Sequence, residues 1–396
     1  MLHRRPEFLD RFANVNVRIP RTLVLATDEF EAFVEINGLA DLSRGDQGND
    51  EVAKRFLEGR FSQSLRRQLE MYLEQVTYPL AVRSSGLMED AQFCAYAGLY
   101  RTFMLPNNGP DLECRLEQMV RAIKLVFASA YFQEPKAFSR RMGLRPEDEK
   151  MAVMIQRLEG SVYDGYFYPA ISGVAQSHNY YPFGPMMPED GVATVALGLG
   201  RAVMEGKRNL RFCPRYPEVL PQRNTVEETL DNSQRYFYAL SMGGDDCILD
   251  LDEAGTLDRR EVYDAAREFP VRAVSGAYLP DEQRIVDSMQ PGGHPVVTFA
   301  PVLKHGLLPL PELLTSVLEL GTRGMGTPVE IEFSVDIGPE GKQTPEFSLL
   351  QIRPMSARVE LRCVEIADEE VKKAFCVSHK ALGNTMDQDM ADIVFV

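Results

Sequence analysis

Apolar residues follow two different periods along the chain. In some segments they recur every three or four residues, which predicts amphipathic helices. Between these segments lie short apolar runs bounded by turn residues, which predict buried strands. The predicted helices are residues 28–37, 50–75, 112–132, 226–242 and 311–320. The predicted strands are residues 22–26, 78–82, 151–155, 192–197, 296–300, 329–337 and 346–352. This mixture indicates an α+β or mixed α/β fold.

The boundaries of these segments indicate how the chain is divided. Thr27 and Thr225 precede two of the predicted helices and are interpreted as their N-caps. A charged, proline-containing stretch at residues 145–150 is a candidate boundary between two lobes. Residues 212–293 are rich in Pro, Asp and Glu and are interpreted as an elaboration between core strands. The apolar end, residues 393–396, leads us to expect a sequence cut from a longer polypeptide; a final strand docked on the domain is the alternative.

The chain is acidic, with 43 Lys and Arg against 58 Asp and Glu in 396 residues and a formal net charge of −15. Nucleic acids and anionic membranes are polyanions, so this surplus argues against broad binding to either. It permits a small phosphate ligand in a local basic pocket. No apolar stretch reaches the roughly 18 residues of a membrane span, and residues 1–7 do not resemble a signal peptide. The six cysteines form no CxxC pair, so we expect reduced thiols in a cytoplasmic protein.

The two closing strands carry the strongest local pattern. Apolar and polar residues alternate strictly over residues 329–336, so one face carries Glu330, Glu332, Ser334 and Asp336. In the next strand, one face carries Phe347, Leu349, Gln351 and Arg353. If the strands pair as a hairpin, Glu330 and Glu332 lie beside Gln351 and Arg353. Carboxylate and amide oxygens suit Mg²⁺ and an arginine suits a phosphate, whereas the alternative is a solvated face with a cross-strand salt bridge.

Other polar and glycine-containing segments follow predicted strands. Residues 83–86 (Arg-Ser-Ser-Gly) can bind an anion through side chains and turn amides, and the alternative is an ordinary polar turn. Residues 96–98 supply small residues where a backbone could approach a ligand. Residues 172–175 and 198–201 match neither G-x-G-x-x-G nor a Walker A loop, and we interpret both as tight turns. The five histidines show no metal-ligand spacing and no Ser/His/Asp set is recognisable.

Taken in order, seven short motifs resemble one known family. They are Val82-Arg83-Ser84-Ser85 through Glu89-Asp90, Tyr96-Ala97-Gly98, Met151-Ala152-Val153-Met154-Ile155-Gln156, Ser172-Gly173-Val174-Ala175, Gly198-Leu199-Gly200, Glu330-Ile331-Glu332-Phe333 and Leu350-Gln351-Ile352-Arg353-Pro354. Together they resemble the N-terminal nucleotide-binding domain of phosphoenolpyruvate synthase and pyruvate phosphate dikinase. The resemblance covers roughly residues 17–355 and is weakest over residues 212–293.

This resemblance implies an α+β, ATP-grasp-like bilobal domain in which mixed or antiparallel sheets are flanked by helices and ATP lies between the lobes. Residues 1–150 would form the N-terminal lobe. Residues 151–360 would form the C-terminal lobe, with the adenine- and metal-binding strands. Residues 361–396 would be a linker towards a phosphocarrier domain.

The resemblance also assigns roles to individual residues. It implies that Arg83 contacts the ATP phosphates and Arg353 stabilises the transferring phosphoryl group. Glu332 and Gln351 would bind Mg²⁺, with Glu330 beside them. Further nucleotide contacts would come from Ser84, Gly98, Gln156 with the following Arg157 and Leu158, Gly173, Gly200, and Lys124 or Arg121 on the long helix.

In enzymes of this family, ATP phosphorylates a histidine on a swivelling domain, and the phosphoryl group then passes to pyruvate. The implied partners are therefore ATP, a phosphohistidine carrier domain and a pyruvate-binding domain. No nucleic acid and no membrane are expected as partners. Whether the protein forms a homo-oligomer stays open. We expect the transfer to depend on positioning and charge neutralisation by this domain.

The chain departs from the family pattern at several places. No Gly-Gly-Lys segment precedes Val17, and Arg201 follows Gly-Leu-Gly where the family usually has an acidic residue. No Thr-x-Gly-Gly-x-x-x-His stretch occurs, and no pyruvate-binding barrel follows. The first hypothesis is thus the ATP-binding fragment of a larger phosphotransferase. The alternatives are a non-catalytic nucleotide- or partner-binding regulatory module and a dikinase for another acceptor, such as an antibiotic or a glucan.

Overall fold

The computed structural model describes residues 6–87, 89, 98–206, 208–221, 223–243, 257–339, 343–355 and 368–375. Its helices are α1 (Pro6–Arg11), α2 (Thr27–Ile36), α3 (Asn49–Glu58), α4 (Gln63–Gln75), α5 (Leu112–Ser129), α6 (Gln133–Arg141), α7 (Arg201–Met204), α8 (Val226–Asn232), α9 (Phe269–Val274), α10 (Ala300–Leu303), α11 (Leu310–Met325) and α12 (Asp368–Lys373). Its strands are β1 (Asn16–Arg18), β2 (Thr22–Leu25), β3 (Leu80–Gly86), β4 (Thr102–Leu105), β5 (Met151–Arg157), β6 (Ser161–Tyr163), β7 (Tyr166–Tyr168), β8 (Ile171–Gln176), β9 (Val192–Ala196), β10 (Leu210–Phe212), β11 (Tyr236–Ser241), β12 (Leu257–Glu261), β13 (Ser275–Leu279), β14 (Arg284–Val286), β15 (His294–Val297), β16 (Val329–Asp336) and β17 (Glu346–Pro354).

The first sheet has the strand order β2-β5-β3-β4 and is antiparallel throughout. Helices α2 and α5 pack against this sheet, and α3 and α4 pack on α5. The helices share an aromatic cluster of Phe30, Phe33, Phe56, Phe127 and Tyr131. Such aromatic pairs add about 0.5–1.5 kcal/mol each beyond the burial of their area. This packing holds β3 and β5 side by side, and one edge of the functional site is built on these two strands.

The central sheet has the order β1-β17-β16-β8-β9-β10 and is mixed, because β1 runs parallel to β17 while the other pairs are antiparallel. No single position of the chain separates the strands of the first sheet from those of the central sheet. Strand β5 follows the predicted boundary at residues 145–150 but pairs with β2 and β3. Strand β1 precedes that boundary but belongs to the central sheet. Strand pairing thus crosses residue 150 in both directions, and the division into two lobes at that residue stays a prediction.

Residues 212–293, interpreted from the sequence as an elaboration, contain two further small sheets in their described part. Strands β11 and β12 join β7 and β6 in the order β12-β11-β7-β6. Strands β13 and β14 join β15 in the order β14-β13-β15. Buried Phe237 and Val271 belong to the same apolar cluster as the central sheet. The region is thus packed onto the core.

The predicted helix at residues 226–242 is correct only in its first half. Thr225 caps α8 as predicted, since its hydroxyl accepts a hydrogen bond from the Glu228 amide at 3.1 Å and the Glu228 carboxylate accepts one from the Thr225 amide. The helix ends at Asn232, and the second half forms β11. There, alternate residues such as Phe237 and Ala239 are buried, and pairing with β7 and β12 satisfies the backbone. Tertiary pairing outweighs the local helical pattern at this point.

Two helix boundaries also differ from the prediction. The predicted helix at residues 50–75 is split into α3 and α4, because Gly59 leaves the helical conformation and the Ser62 hydroxyl caps the start of α4 through the Leu65 amide at 3.1 Å. Thr27 is wrong as an N-cap. It is the first residue of α2, and Ala26 occupies the cap position without a side-chain hydrogen bond.

The predicted turn at residues 172–175 is wrong, because these residues lie inside β8. Gly173 pairs with Phe333 of β16 and Val195 of β9. A Cβ atom added to Gly173 would lie 2.4 Å from Cζ of Phe333, whose ring is fully buried. Glycine is therefore required here to admit the aromatic ring rather than to make a turn.

We expect Gly173→Ala to lower the free energy of unfolding by about 1–3 kcal/mol, since the Phe333 ring must move out of a packed core. Chemical denaturation of the purified chain measures this. Gly200→Ala is the matched control, because a Cβ there meets no described atom within 4 Å and the backbone is already helical; its change is expected within about 0.5 kcal/mol. Equal destabilisation of the two variants would contradict the packing argument.

Two further sequence expectations can be compared with the described residues. No helix among them is long and apolar enough to cross a membrane. Cys213 is a free, buried thiol. Cys114 is disulfide-bonded, so the expectation of reduced cysteines is wrong for that residue.

Candidate functional site

A cavity of about 520 Å³ lies where the first sheet faces the central sheet. Strands β3 and β5 form one wall, and β8, β16 and β17 form the other. Eight of the residues predicted for the site line it: Arg83, Ser84, Gly98, Gln156, Gly173, Gly200, Glu332 and Arg353. These residues span most of the chain, so the long-range packing of the two sheets assembles the site.

Strands β16 and β17 pair as the predicted hairpin, and Glu330 and Glu332 lie beside Gln351 and Arg353. Glu330 lies opposite Arg353, and Glu332 lies opposite Gln351. The register then shifts between Glu332 and Phe333, so that Leu350 has no partner on β16. The Leu350 carbonyl instead accepts a hydrogen bond from Gln156 Nε2 at 3.2 Å. This irregularity ties β17 to β5 across the floor of the cavity.

Arg83 extends from β3 to the hairpin on the opposite wall. Its Nη2 donates to Glu332 Oε2 at 2.6 Å and to Gln351 Oε1 at 3.1 Å. Both side chains of the Arg83–Glu332 pair are about four-fifths buried, at 18% and 20% exposure. Charged hydrogen bonds are strengthened in such partly desolvated surroundings. The arginine and the carboxylate neutralise each other.

Arg353 is held by a different carboxylate. Its Nε donates to Glu330 Oε1 at 2.8 Å, and its Nη2 contacts the same oxygen. Glu330 Oε2 accepts a second hydrogen bond from Gln176 Nε2 at 2.5 Å. Burial alone would lower the pKa of Arg353, but Glu330 and then Glu332 stabilise its charged form and raise the pKa above the ordinary value. Arg353 therefore stays cationic and is oriented at the edge of the cavity.

The oxygens of Glu332 and Gln351 fit a divalent cation. Both converge on a single positively charged nitrogen, Nη2 of Arg83. Carboxylate and amide oxygens are the ligands that a hard cation prefers, and Mg²⁺ commonly takes its remaining ligands from phosphates and water. Among the described residues there is no group of three or more His, Cys, Asp or Glu placed to hold a metal. A cation at this position would thus depend on a bound phosphate ligand.

The structure brings most of the predicted nucleotide contacts together but leaves three predicted residues outside the cavity lining. Glu330 is occupied by Arg353 and Gln176, and Gln351 is reached through Arg83. Lys124 Nζ donates to the Leu57 carbonyl at 3.1 Å, and its burial lowers the pKa. Neither Lys124 nor Arg121 is among the described residues that line the cavity. The structure therefore places no cation of α5 at this site.

The predicted adenine segment does line the cavity. Gln156 is almost fully buried, and Arg157 and Leu158 follow it along the same wall. The guanidinium of Arg157 lies 5.1 Å from the centre of the Tyr78 ring. This contact fixes the long side chain beside the cavity.

The charged residues of the lining to which the sequence analysis assigned no role include Arg201, Glu205 and Glu159. Arg201, noted there only as a departure from the family, pairs with Glu205 at 3.3 Å and lies 5.2 Å from the Tyr238 ring centre. The Tyr238 hydroxyl donates to the same carboxylate oxygen at 2.6 Å. Glu159 lies two residues beyond the end of β5. Its position directly after the predicted adenine segment, residues 156–158, is the sequence signal that could have indicated it.

Comparison with known proteins agrees with this geometry. Residues 8–374 match the model of the pyruvate phosphate dikinase AMP/ATP-binding domain. The chain belongs to this family. The predicted family and the predicted α+β, ATP-grasp-like fold are thus confirmed, and the cavity between the sheets is the candidate nucleotide site of a pyruvate phosphate dikinase-type domain.

Two curated relatives share part of this dikinase-type domain. An uncharacterized phosphotransferase, YvkC of Bacillus subtilis, is 25% identical over 193 residues, which are 48% of this chain and 20% of that protein. The rifampicin phosphotransferase of Streptomyces sviceus is 26% identical over 250 residues, which are 58% of this chain and 25% of that protein. The matched region thus spans only a quarter or less of the length of these relatives.

Proposed function

We propose that this dikinase-type domain binds Mg-ATP in the cavity and serves an ATP-dependent phosphotransferase. The phosphoryl group would pass to a carrier histidine on a separate domain and from there to pyruvate. One observation carries the proposal: Arg83, Glu332 and Arg353 line the same cavity as the predicted adenine segment, and Gln351 is joined to them through Arg83. Membership of an AMP/ATP-binding domain family supports the nucleotide assignment.

In this proposal the side chains of the chain itself position and neutralise the triphosphate. Glu332 and Gln351 would hold Mg²⁺, which would offset phosphate charge when bound. Arg83 would exchange its carboxylate partner for a phosphate oxygen. Arg353, kept in place by Glu330, would donate to the phosphoryl group as negative charge develops on it. Gln156 and the residues after it would surround the base.

Calorimetric titration of the purified chain with ATP, with and without Mg²⁺, tests the binding step. Saturable binding that strengthens with Mg²⁺ is the expected result. The transfer step requires the product of the complete open reading frame, incubated with labelled ATP and examined for acid-labile phosphohistidine. A nucleotide-binding protein that forms no phosphohistidine would instead match the regulatory alternative.

A different final acceptor is the second candidate. It is favoured by the similarity to the rifampicin phosphotransferase of Streptomyces sviceus, whose printed name gives an antibiotic as acceptor. The nucleotide-binding wall described above is compatible with either acceptor, since none of its residues contacts the acceptor in the proposed scheme. Product analysis with pyruvate and with candidate antibiotics in parallel distinguishes the two.

A further inference from the structure

Glu159 is a buried carboxylate that lines the nucleotide cavity. The residue is 5% exposed. Its Oε1 atom is shielded from solvent, and no group in the described part of the chain donates a hydrogen bond to it. The nearest cation, Nε of Arg157, lies 3.6 Å from that oxygen, which is too far for a hydrogen bond. Glu159 thus places in the cavity wall a carboxylate with one solvent-shielded oxygen that accepts no hydrogen bond.

Burying a carboxylate oxygen without a hydrogen bond costs free energy, because the oxygen loses its water and gains no donor. A bound ligand that donates a hydrogen bond offsets this cost. Burial raises the pKa of Glu159 to about 6. The facing charges act in both directions: Arg157 and Arg18 lower the pKa, whereas Glu346 and Asp336 raise it. A ligand that brings an N–H or O–H donor within hydrogen-bond distance would supply the partner that the Oε1 atom lacks.

Glu159 lies at the end of the cavity that is away from Arg83 and Arg353. In the first sheet, Arg83 lies opposite Met154 of β5. At about 3.3 Å per residue, β5 runs roughly 10 Å from Met154 to its end at Arg157, and Glu159 lies two residues further on. On the other wall, Asp336 and Glu346, which influence Glu159, pair at the end of the hairpin opposite Arg353. A triphosphate held by the arginines would therefore extend its nucleoside half towards Glu159.

We propose that Glu159 accepts a hydrogen bond from the nucleoside half of the nucleotide and is thereby a specificity-determining residue of this domain. The donor is the exocyclic amino group of the base or a ribose hydroxyl, which share this chemistry. The inference rests on the proposed function, because it takes the phosphates to lie at Arg83 and Arg353.

Calorimetry of wild-type protein and Glu159→Met with a set of nucleotides tests the inference. The set is ATP, the purine riboside triphosphate that lacks the 6-amino group, and the 2′-deoxy and 3′-deoxy forms of ATP. We expect wild type to lose about 10- to 100-fold in affinity for the analogue that lacks the donor, as for a hydrogen bond to a charged group. In Glu159→Met, ATP and that analogue should bind equally. Loss with the purine analogue assigns the base, and loss with a deoxy form assigns the ribose.

The matched control is Glu149→Met, which removes another buried carboxylate, 3% exposed, that is not among the cavity residues. It should keep the wild-type preference among the four nucleotides. Identical affinity ratios in wild type and Glu159→Met would overturn the inference while leaving nucleotide binding intact. Absence of any nucleotide binding by wild type would instead reject the proposed function itself.

The pH dependence gives a second readout with the conservative Glu159→Gln variant, which keeps the shape of the side chain if methionine is not tolerated. The ligand donor favours the charged carboxylate, so wild-type affinity should fall as the pH drops through about 6 and level off above it. The glutamine variant should lack this step. A step that persists unchanged in Glu159→Gln would assign the titration to another group and contradict the inference.

Discussion

Arg353→Ala is expected to bind Mg-ATP about 10- to 100-fold more weakly than wild type, because it removes a charged donor from a partly desolvated site. Phosphoryl transfer by the complete protein should fall further, by about 10³-fold or more, since arginines that stabilise the transferring group act most strongly in the transition state. Calorimetry on the chain and a labelled-ATP transfer assay on the complete protein measure the two effects. A larger effect on transfer than on binding is the expected signature.

The substitution also leaves Glu330 without its cationic partner, which must be separated from any effect on ATP. Glu330 keeps the hydrogen bond from Gln176, and Arg353→Ala combined with Glu330→Gln removes the uncompensated charge. Arg260→Ala is the matched control, since Arg260 forms a similarly buried pair with Glu268 at 2.7 Å outside the cavity lining. It should lose stability but keep ATP affinity. Equal ATP affinity in the Arg353 and Arg260 variants would count against the assigned role.

Glu332→Gln is expected to remove the Mg²⁺ dependence of ATP binding. With Mg²⁺ present, the affinity for ATP should fall about 10-fold or more. The reason is that a neutral amide replaces Glu332, which is the charged member of the two proposed Mg²⁺ ligands. Without Mg²⁺, affinity should stay unchanged or rise, since Arg83 would no longer be neutralised by Glu332 and would be available to phosphate. The measurement is a pair of ATP titrations, with Mg²⁺ and with a chelator, on wild type and variant.

A control for this experiment lies on the same hairpin. Glu346 forms an ion pair with Arg18 and does not line the cavity, so Glu346→Gln alters the hairpin charge without touching the proposed cation oxygens. It should retain the Mg²⁺ effect. If Glu332→Gln also retained the full Mg²⁺ effect, the cation would have to bind elsewhere, and the fit of Glu332 and Gln351 would be refuted.

A formal net charge of −15 is compatible with a polyphosphate ligand, because the charges close to the cavity determine the potential that the ligand meets. At the cavity, Glu332 pairs with Arg83 and Glu330 pairs with Arg353, so acidic and basic groups alternate. Surface charges that lie more than about 8–10 Å from this pocket are largely screened by salt. The overall acidity therefore says little about the potential that a bound phosphate would meet.

Elements whose contacts are local were predictable from sequence. Alternation over residues 329–336 correctly placed Glu330 and Glu332 on the face that meets Gln351 and Arg353, because a two-residue period determines which side chains share a face. The exact register came from the structure. The N-cap at Thr225 was equally visible. The second half of the helix predicted at residues 226–242 was not, since β11 exists only through its pairing with β7 and β12.

The sequence by itself determined the family, the order of its motifs and the polar face of the closing hairpin. Only the tertiary structure decided that Arg83 contacts Glu332 across 249 positions of sequence, that Lys124 points to the Leu57 carbonyl, and that Glu159 is buried in the cavity wall. The reason is physical. Local periodicity specifies which side of a strand or helix a residue occupies, whereas the packing of two sheets determines which of those sides meet and how far each carboxylate is removed from water.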